Sequence, residues 1–362
     1  MQIITDRRNL HRIPELGLCL PKTMQYLRSS LENLRCQVFS PIENSVCAWF
    51  DFGADRTIAF RADCDALPIF EKTGAEFAST HEGQMHACGH DGHMAICLEL
   101  ARRLNEKKTL PHNVMLVFQP AEETTGGAKP LCESGVFDQY NVTAIFGLHL
   151  WPGLEAGTVF SRKNELMART CEIRIDIFGR SAHIAKPTEG LDALGAAVAL
   201  YTRARALEAS FPPQVRRLLN FGYFHSGTVR NAISKHTRML GSLRAYQDDV
   251  FDTLYQGLLE ITQRSAEEFG CTADIEINAG YPAVINDPAL YDRVMAIAPF
   301  ADLAEPTMTA EDFSFYQKRG DAMFFFLGLG DVPALHSDNF CFDETILLKG
   351  ADFFEKLAEN YR

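Results

Sequence analysis

Apolar residues follow two alternating patterns over the first 167 positions of the chain. Their helical spacing predicts helices over residues 20–35 and 93–108. Short continuous apolar runs, each followed by polar residues, predict buried strands over residues 45–52, 56–63, 113–123 and 143–152. Strands that alternate with helices are typical of an α/β fold with a mostly parallel sheet. The carboxyl ends of such strands gather functional side chains at one edge of the sheet.

From residue 168 the pattern changes to an α+β order. Strands are predicted over residues 170–179, 218–229, 237–246 and 272–282, with helices over residues 190–209 and 249–270. The order βαββαβ is that of ferredoxin-like domains. We therefore predict an inserted domain over residues 168–282. Helix and strand patterns return over residues 283–362, which we expect to complete the domain begun by residues 1–167.

Length and charge limit the classes of function. A chain of 362 residues is expected to form about two domains. The formal net charge of -12 argues against a nucleic acid as partner, because binding phosphates requires a basic surface. No apolar stretch reaches membrane-spanning length and no signal peptide is recognised, so we expect a cytoplasmic protein without a membrane partner. The ten cysteines are expected to be reduced.

The segment MHACGHDGH, residues 85–93, concentrates potential metal ligands. Cys88 and His90 can reach one ion from a single turn, since a thiolate and a neutral imidazole are good ligands for zinc, cobalt or nickel. Two ligands would not hold a metal. Further candidates are Glu122 and Glu123 at the end of the strand predicted over residues 113–123, His149 towards the end of the strand predicted over residues 143–152, and, near the C-terminus, His336.

Nine ordered motifs resemble those of the M20 metallopeptidases and amidohydrolases, in the branch of hippurate hydrolases, auxin-conjugate hydrolases and N-acetyldiaminopimelate deacetylases. They are RRNLHRIPELG, FRADCDALPI, MHACGHDGHMA, VFQPAEE, GLHLWP, GRSAHIAKP, GTVRNAI, MTAEDFSFY and ALHSDNFCFDE. The resemblance spans nearly the whole chain. It implies a metal-dependent amidohydrolase that cleaves N-acyl amino acids, with N-acetyl, N-aroyl or N-acetyldiaminopimelate substrates.

The resemblance also implies a centre of two divalent ions, Zn, Mn, Co or Ni. Cys88 would bridge the ions, where most of the wider superfamily uses an aspartate. Glu122 would be the general base for a metal-activated hydroxide, and Asp65 would orient a metal-bound imidazole. The remaining metal ligands would be His90, Glu123, His149 and His336.

The inserted domain is expected to contribute to substrate binding and dimerisation. By the resemblance, His183 in GRSAHIAKP completes the active site of a neighbouring subunit as an oxyanion donor, which requires a homodimer. Asn231 and Arg244 match the positions that hold the substrate carboxylate. An anionic substrate would need such a local cation in a chain of net charge -12.

Several alternatives stay open at this point. A dipeptidase or aminopeptidase of the same superfamily, or an inactive metal-binding or amino-acid-binding relative, would share most of these motifs. Asp91 is either a support for the metal site or the N-cap of the helix that follows it. Asp63 is expected to be structural. Four histidines are expected to be packing or surface residues: His11, His86, His93 and His112.

Overall fold

The computed structural model describes residues 1–278 and 280–362. Position 279, inside the strand predicted over residues 272–282, lies outside the described residues. The helices are α1 Gln2–His11, α2 Pro21–Leu31, α3 His90–Glu106, α4 Ala128–Glu133, α5 Val136–Gln139, α6 Ala193–Ala209, α7 Asp248–Glu268, α8 Pro288–Ile297, α9 Ser314–Arg319 and α10 Leu347–Asn360. The strands are β1 Gln37–Phe39, β2 Val46–Phe50, β3 Thr57–Asp63, β4 Asn113–Gln119, β5 Val142–Trp151, β6 Val159–Ser161, β7 Asn164–Met167, β8 Arg169–Phe178, β9 Arg217–Ser226, β10 His236–Ala245, β11 Thr272–Ile277, β12 Val284–Asn286, β13 Ala301–Asp302 and β14 Asp321–Gly328.

The contacts divide the chain into two compact units. Unit 1 comprises Met1–Leu166, Val284–Pro306 and Asp312–Arg362, and unit 2 comprises Met167–Ala283 and Thr307–Glu311. The five residues Thr307–Glu311 belong to unit 2, although the sequence-based division placed them in the catalytic domain.

Unit 1 is built on an eight-stranded mixed sheet in the order β1-β2-β4-β3-β5-β14-β6-β13. The central neighbours β4, β3, β5 and β14 are parallel, and β1, β2 and β6 introduce antiparallel pairs. Every residue of β3 and β4 is buried, as expected for strands covered on both faces. The parallel arrangement places the ends of β3, β4 and β5 at one edge of the sheet. The polar residues that follow these apolar strands in the sequence are therefore close together in space.

Helix α3 fills much of the core beneath this sheet. Its apolar residues, together with those of β3, β4, β5 and α10, form one continuous hydrophobic cluster. Its first turn enters this core directly, so that His90 and Asp91 are fully buried. The start of α3 is therefore held by packing as well as by hydrogen bonds.

Unit 2 has the predicted element order, β8-α6-β9-β10-α7-β11. Its four strands form an antiparallel sheet in the order β11-β8-β10-β9, with a bulge in β9 at Gly222, opposite Leu240 and Gly241 of β10. Alternate residues of β8, from Cys171 to Ile177, pack with α6 and α7 in a second hydrophobic core. Asp192 caps α6 by accepting a hydrogen bond from the Leu194 N–H. The predicted fold class, a mostly parallel α/β domain with a ferredoxin-like insertion, is confirmed.

Among the described residues, no helix combines the length and the apolar composition needed to cross a bilayer. The ten cysteines are free thiols.

Candidate metal centre

The turn that precedes α3 brings Cys88 and His90 to the same place. Gly89 between them has φ 88°, a left-handed conformation that glycine adopts without steric cost. Gly89 is also the N-cap of α3, and His90 is its first residue. The sequence CGH therefore places a thiol and an imidazole on one tight turn.

The protonation of His90 and His149 follows from their hydrogen bonds. The Nδ1 atom of His90 lies 2.7 Å from the Asp65 carbonyl oxygen, and Nδ1 of His149 lies 2.7 Å from the Leu150 carbonyl oxygen. Because a carbonyl only accepts, both Nδ1 atoms carry the proton and both Nε2 atoms keep a lone pair. Burial lowers the pKa of both residues, which favours the neutral form. A neutral imidazole oriented by a carbonyl is the form that binds metals.

Glu122 and Glu123 follow β4 through a turn in which Ala121 has φ 59°. The backbone N–H groups of Glu122 and Glu123 donate to the two oxygens of the Asp65 carboxylate, at 2.9 and 3.1 Å. Asp65 therefore orients the His90 imidazole through its carbonyl group, while its carboxylate holds the two glutamates. The carboxylate of Asp65 lies farther from this imidazole, with Oδ1 3.8 Å from His90 Nδ1.

His336 approaches the same place from the loop after β14. Its backbone has φ 64°, unusual for a residue other than glycine, and its N–H donates to the Ala87 carbonyl oxygen at 2.9 Å. Its Nε2 lies 3.2 Å from Oε1 of Glu123, and this carboxylate raises the pKa of His336. The side chain is 52% exposed, in contrast to the other histidines of the cluster.

The five predicted ligands form two groups that share one atom. The Sγ of Cys88 lies within 4.8 Å of the donor atoms of His90 and His149, and likewise of those of Glu123 and His336. Nε2 of His90 is buried and has no hydrogen-bond partner among the described residues. Burial, together with Glu123 and Glu122, raises the pKa of Cys88 well above its usual range. A divalent cation would stabilise the thiolate of Cys88 and would be coordinated by the lone pair on Nε2 of His90, so these donor atoms fit a metal ion.

A third grouping, Asp63 with His90 and His93, is less suited to a metal because both nitrogens of His93 are occupied. Nδ1 of His93 lies 2.6 Å from the Asp63 carboxylate, and Nε2 accepts the Leu150 N–H at 2.9 Å. His93 therefore fixes the backbone next to His149. The prediction that His93 is only a packing residue missed this contact, which a second histidine one helical turn after His90 could have suggested.

Asp63 belongs to a buried polar network around Arg61. The Arg61 guanidinium donates to Asp63 and Asp312, both at 2.7 Å, and to Gln119 at 2.9 Å. The Asp312 carboxylate also accepts the Ala128 N–H at 2.9 Å. The signal for this network in the sequence is an arginine and an aspartate within the otherwise apolar strand β3.

Asp91 is not the N-cap of α3, because that position is taken by Gly89. The Asp91 carboxylate contacts Arg7 and His11 of α1 and accepts the Gly92 N–H at 2.9 Å. Burial tends to raise the pKa of Asp91, but Arg7 and His11 outweigh this effect and lower it. His86 and His112 are buried, and their ring centres lie 6.4 Å from that of His11 and 6.0 Å from that of Tyr361, respectively.

The predicted substrate-binding residues lie in unit 2. His183 and Asn231 are exposed on two loops that pair through the Ile184 N–H and the Asn231 carbonyl oxygen at 3.0 Å. Nδ1 of His183 accepts the Ala185 N–H at 3.1 Å, so in the neutral ring Nε2 carries the proton. Arg244 in β10 is half-buried and donates to the Met308 carbonyl oxygen at 2.9 Å.

Comparisons with known proteins agree with this arrangement. The family model of peptidase family M20/M25/M40 matches residues 59–360. The chain is 34% identical to an uncharacterized hydrolase of Staphylococcus haemolyticus, over 99% of this chain and 98% of the relative. Its fold is similar to that in the crystal structure of a protein from methicillin-resistant Staphylococcus aureus. The TM-score is 0.91 at 29% identity, with 99% of this chain and 96% of that chain covered.

A second solved structure is that of the YXEP protein of Bacillus subtilis, described as a dinuclear metal-binding peptidase of the M20 family. The TM-score is 0.84 at 30% identity, with 99% of this chain and 96% of that chain covered. Taken together with the convergence of the five ligands, these similarities show that the chain belongs to peptidase family M20/M25/M40.

Proposed function

We propose that this M20-family hydrolase is a dinuclear metal-dependent amidohydrolase that cleaves N-acyl amino acids into a carboxylate and a free amino acid. The observation that carries the proposal is the position of Cys88 in both ligand groups, which suits one thiolate bridging two cations. A cysteine at this position, where most of the wider superfamily has aspartate, favours the amidohydrolase branch over the dipeptidases and aminopeptidases.

Two divalent cations held by these donors would lower the pKa of water and polarise the carbonyl of the scissile amide. Zinc, manganese, cobalt and nickel all suit a mixture of thiolate, imidazole and carboxylate. Cys88, His90 and His149 would hold the more buried ion. The second ion would take Cys88 with Glu123 and His336.

Glu122 is the proposed general base. A carboxylate oxygen of Glu122 lies within 4.8 Å of donor atoms of both His90 and Glu123, so it reaches the place where water would react. Asp65 fixes its backbone. Glu122 would take a proton from the attacking water and deliver it to the leaving amine. An inactive relative would not need this carboxylate.

Unit 2 would supply recognition of the substrate. The Nε2–H of His183 is a donor suited to the oxyanion that forms when water adds to the amide. Arg244 carries a fixed positive charge, and together with the amide of Asn231 it would bind the substrate carboxylate.

We propose further that two copies of the chain pair through unit 2, so that His183 serves the site of the other copy. Strand β9 is ten residues long, lies at an edge of its sheet, and exposes Tyr223 and Phe224. Helix α6 exposes an apolar stripe at Leu194, Val198 and Tyr201. A long apolar edge strand favours pairing with another strand, and a two-fold axis would join two such edges.

A substrate panel tests this function. Purified protein is incubated with N-acetyl and N-benzoyl amino acids and with dipeptides, before and after EDTA treatment, and the released amine is measured. We expect turnover of the N-acyl amino acids, its loss with EDTA, and its return with zinc, manganese, cobalt or nickel. Faster cleavage of dipeptides would favour the peptidase alternative, and full activity in metal-free protein would exclude the mechanism.

A further inference from the structure

A cluster of buried charges around Arg7 lies outside the proposed ligand groups. Arg7 of α1 is 1% exposed, and its Nε lies 2.9 Å from Oδ2 of Asp91, which is itself fully buried. Its Nη1 donates to Oε1 of Glu344 at 3.2 Å. Burying a guanidinium is costly unless it is paired, so this position requires both carboxylates.

Aromatic rings enclose the same guanidinium. The Cζ of Arg7 lies 4.7 Å from the ring centre of Phe77 and 4.8 Å from that of Phe342. His11, one turn later in α1, adds a second contact to Asp91, with Nδ1 2.7 Å from Oδ2. The planar fork of arginine meets two carboxylates and two rings at once, an arrangement that lysine does not reproduce.

The residues that Arg7 contacts belong to two segments that carry proposed ligands. Asp91 directly follows His90 in the first turn of α3. Glu344 and Phe342 lie in the segment that follows His336, where Glu344 begins a 3₁₀ turn. Arg7 therefore connects the turn of Cys88 and His90 to the segment of His336.

The two ligand groups differ in how much they depend on this connection. His90 is anchored by the Asp65 carbonyl group, and His149 by its neighbour Leu150, which His93 holds. His336 is half exposed, and its backbone N–H donates to the Ala87 carbonyl oxygen; two residues later in the same loop, the Asp338 carbonyl oxygen accepts the Lys72 N–H. The position of His336 should therefore respond more strongly to the loss of Arg7.

We propose that Arg7 is a positioning residue that sets the distance between the two ligand-bearing segments and so determines the affinity of the outer metal ion, held by Cys88, Glu123 and His336. The proposal rests on the dinuclear centre proposed above. It gives a role to the N-terminal motif RRNLHRIPELG, whose residues Arg7 and His11 reach Asp91 rather than a metal.

The test measures metal binding without turnover. Metal-free wild type, Arg7→Lys and Arg8→Lys are titrated with Zn²⁺ in competition with a chromophoric chelator, and thermal unfolding of each metal-free protein is recorded. Arg8→Lys is the matched control, because Arg8 pairs with the same Glu344 at 2.6 Å and lies over the same Phe77, yet is 43% exposed. Glu344→Gln provides a second variant if Arg7→Lys fails to fold, since it leaves the contact between Arg7 and Asp91 intact.

We expect Arg7→Lys to keep one tightly bound Zn²⁺ and to weaken the second by about 10- to 100-fold, the usual effect of changing a residue that supports ligands. Glu344→Gln should act in the same direction, and Arg8→Lys should bind both ions as the wild type does. If Arg7→Lys lowers the melting temperature but binds both ions with wild-type affinity, or weakens both equally, Arg7 is merely structural. If the wild type itself binds fewer than two ions, the dinuclear centre is wrong and this inference falls with it.

Discussion

In unit 1 the candidate ligands converge from the ends of several elements, and four of the five have little solvent contact. Cys88, His90 and His149 are buried; backbone carbonyl groups accept from both imidazoles, and the Cys88 thiol contacts His149. In unit 2 the candidate residues are arranged differently. His183 and Asn231 stand exposed on paired loops, and Arg244 is half-buried on a strand.

This difference suits two separate tasks, cation binding in unit 1 and substrate binding in unit 2. Residues that must hold a cation need fixed geometry before the cation arrives, and the rigid core of unit 1 supplies it. Residues that contact a substrate only during turnover are compatible with exposed loops. We therefore expect changes in unit 1 to alter metal content or the chemical step, and changes in unit 2 to alter kinetic constants while metal content stays constant.

The largest expected effect is on kcat, and it should distinguish the roles of two neighbouring glutamates in unit 1. Glu122→Gln should lower kcat by about 10²- to 10⁴-fold, the usual contribution of a general base, and should keep the metal content. Glu123→Gln should instead lower the metal content. Kinetics combined with metal analysis by mass spectrometry measures both. The reverse pattern would mean that the two roles are exchanged.

His183→Ala should lower kcat by about 10²- to 10³-fold, the cost of removing an oxyanion donor, without loss of metal. Lys186→Ala, in the same loop, is the control and should keep wild-type rates. Because His183 is proposed to act across the dimer, mixing Glu122→Ala with His183→Ala chains should restore activity. Random pairing would give about a quarter of the wild-type rate, since half the dimers are mixed and each has one intact site.

Heterodimers in that mixture can be counted by native mass spectrometry. Heterodimers that form but show no more activity than the separate variants would place His183 in its own subunit or outside the reaction.

Arg244→Lys should raise KM for an N-acyl amino acid by about 10-fold or more, since a hydrogen bond to a charged group contributes about 1.5–3 kcal/mol. Arg238→Lys on the same strand is the control. For the corresponding N-acyl amino acid amide, which lacks the carboxylate, the Arg244→Lys effect should disappear. An equal effect on both substrates would show that Arg244 does not contact the carboxylate.

The smallest expected effect is on the thermal stability of unit 1 at low pH. Burial tends to raise the pKa of Glu71, but hydrogen bonds from His11, Thr73 and the backbone of Ser79 outweigh it and lower the pKa to about 2. The pKa of a glutamate in an unfolded chain is about 4.3. The contribution of ionised Glu71 to the stability of the folded state is therefore complete above that pH and is lost as the pH falls towards 2. The difference in melting temperature between wild type and Glu71→Gln should therefore narrow from pH 6 to pH 3. Exposed Glu76→Gln should show no such trend.

The fold was predictable where the hydrophobic pattern is strong. The buried strands β3, β4 and β5 are continuous apolar runs, and β8 alternates with period two. Strands such as β12 and β13 contain three and two residues, too few for a period to emerge. Helix α1 was missed for another reason. Its buried face includes Asp6, Arg7 and His11, so the side that packs inward does not have an apolar pattern.

The candidate ligands were predictable, since Glu122, Glu123 and His149 stand at the ends of predicted strands and the motifs that contain the whole set resemble those of the M20 family. The contacts that hold them were not, since they join a side chain to the backbone of a residue distant in sequence. The pairing of His93 with the Leu150 N–H, and of Asp65 with two consecutive N–H groups, depends on the register of β3, β4 and β5. Periodicity predicts that these strands exist but not their offset.

The most direct test of the central claim is the number of metal ions bound by Cys88→Ala. The control is Cys97→Ala, which changes a buried cysteine within α3. Each protein is saturated with Zn²⁺ and separated from free metal, and the bound zinc is then counted by mass spectrometry. Circular dichroism checks that each variant is folded. Because Cys88 belongs to both ligand groups, its removal leaves two ligands in each, too few to hold an ion. We predict two ions per chain in wild type and Cys97→Ala and almost none in Cys88→Ala; two ions retained by folded Cys88→Ala would contradict the shared-thiolate centre.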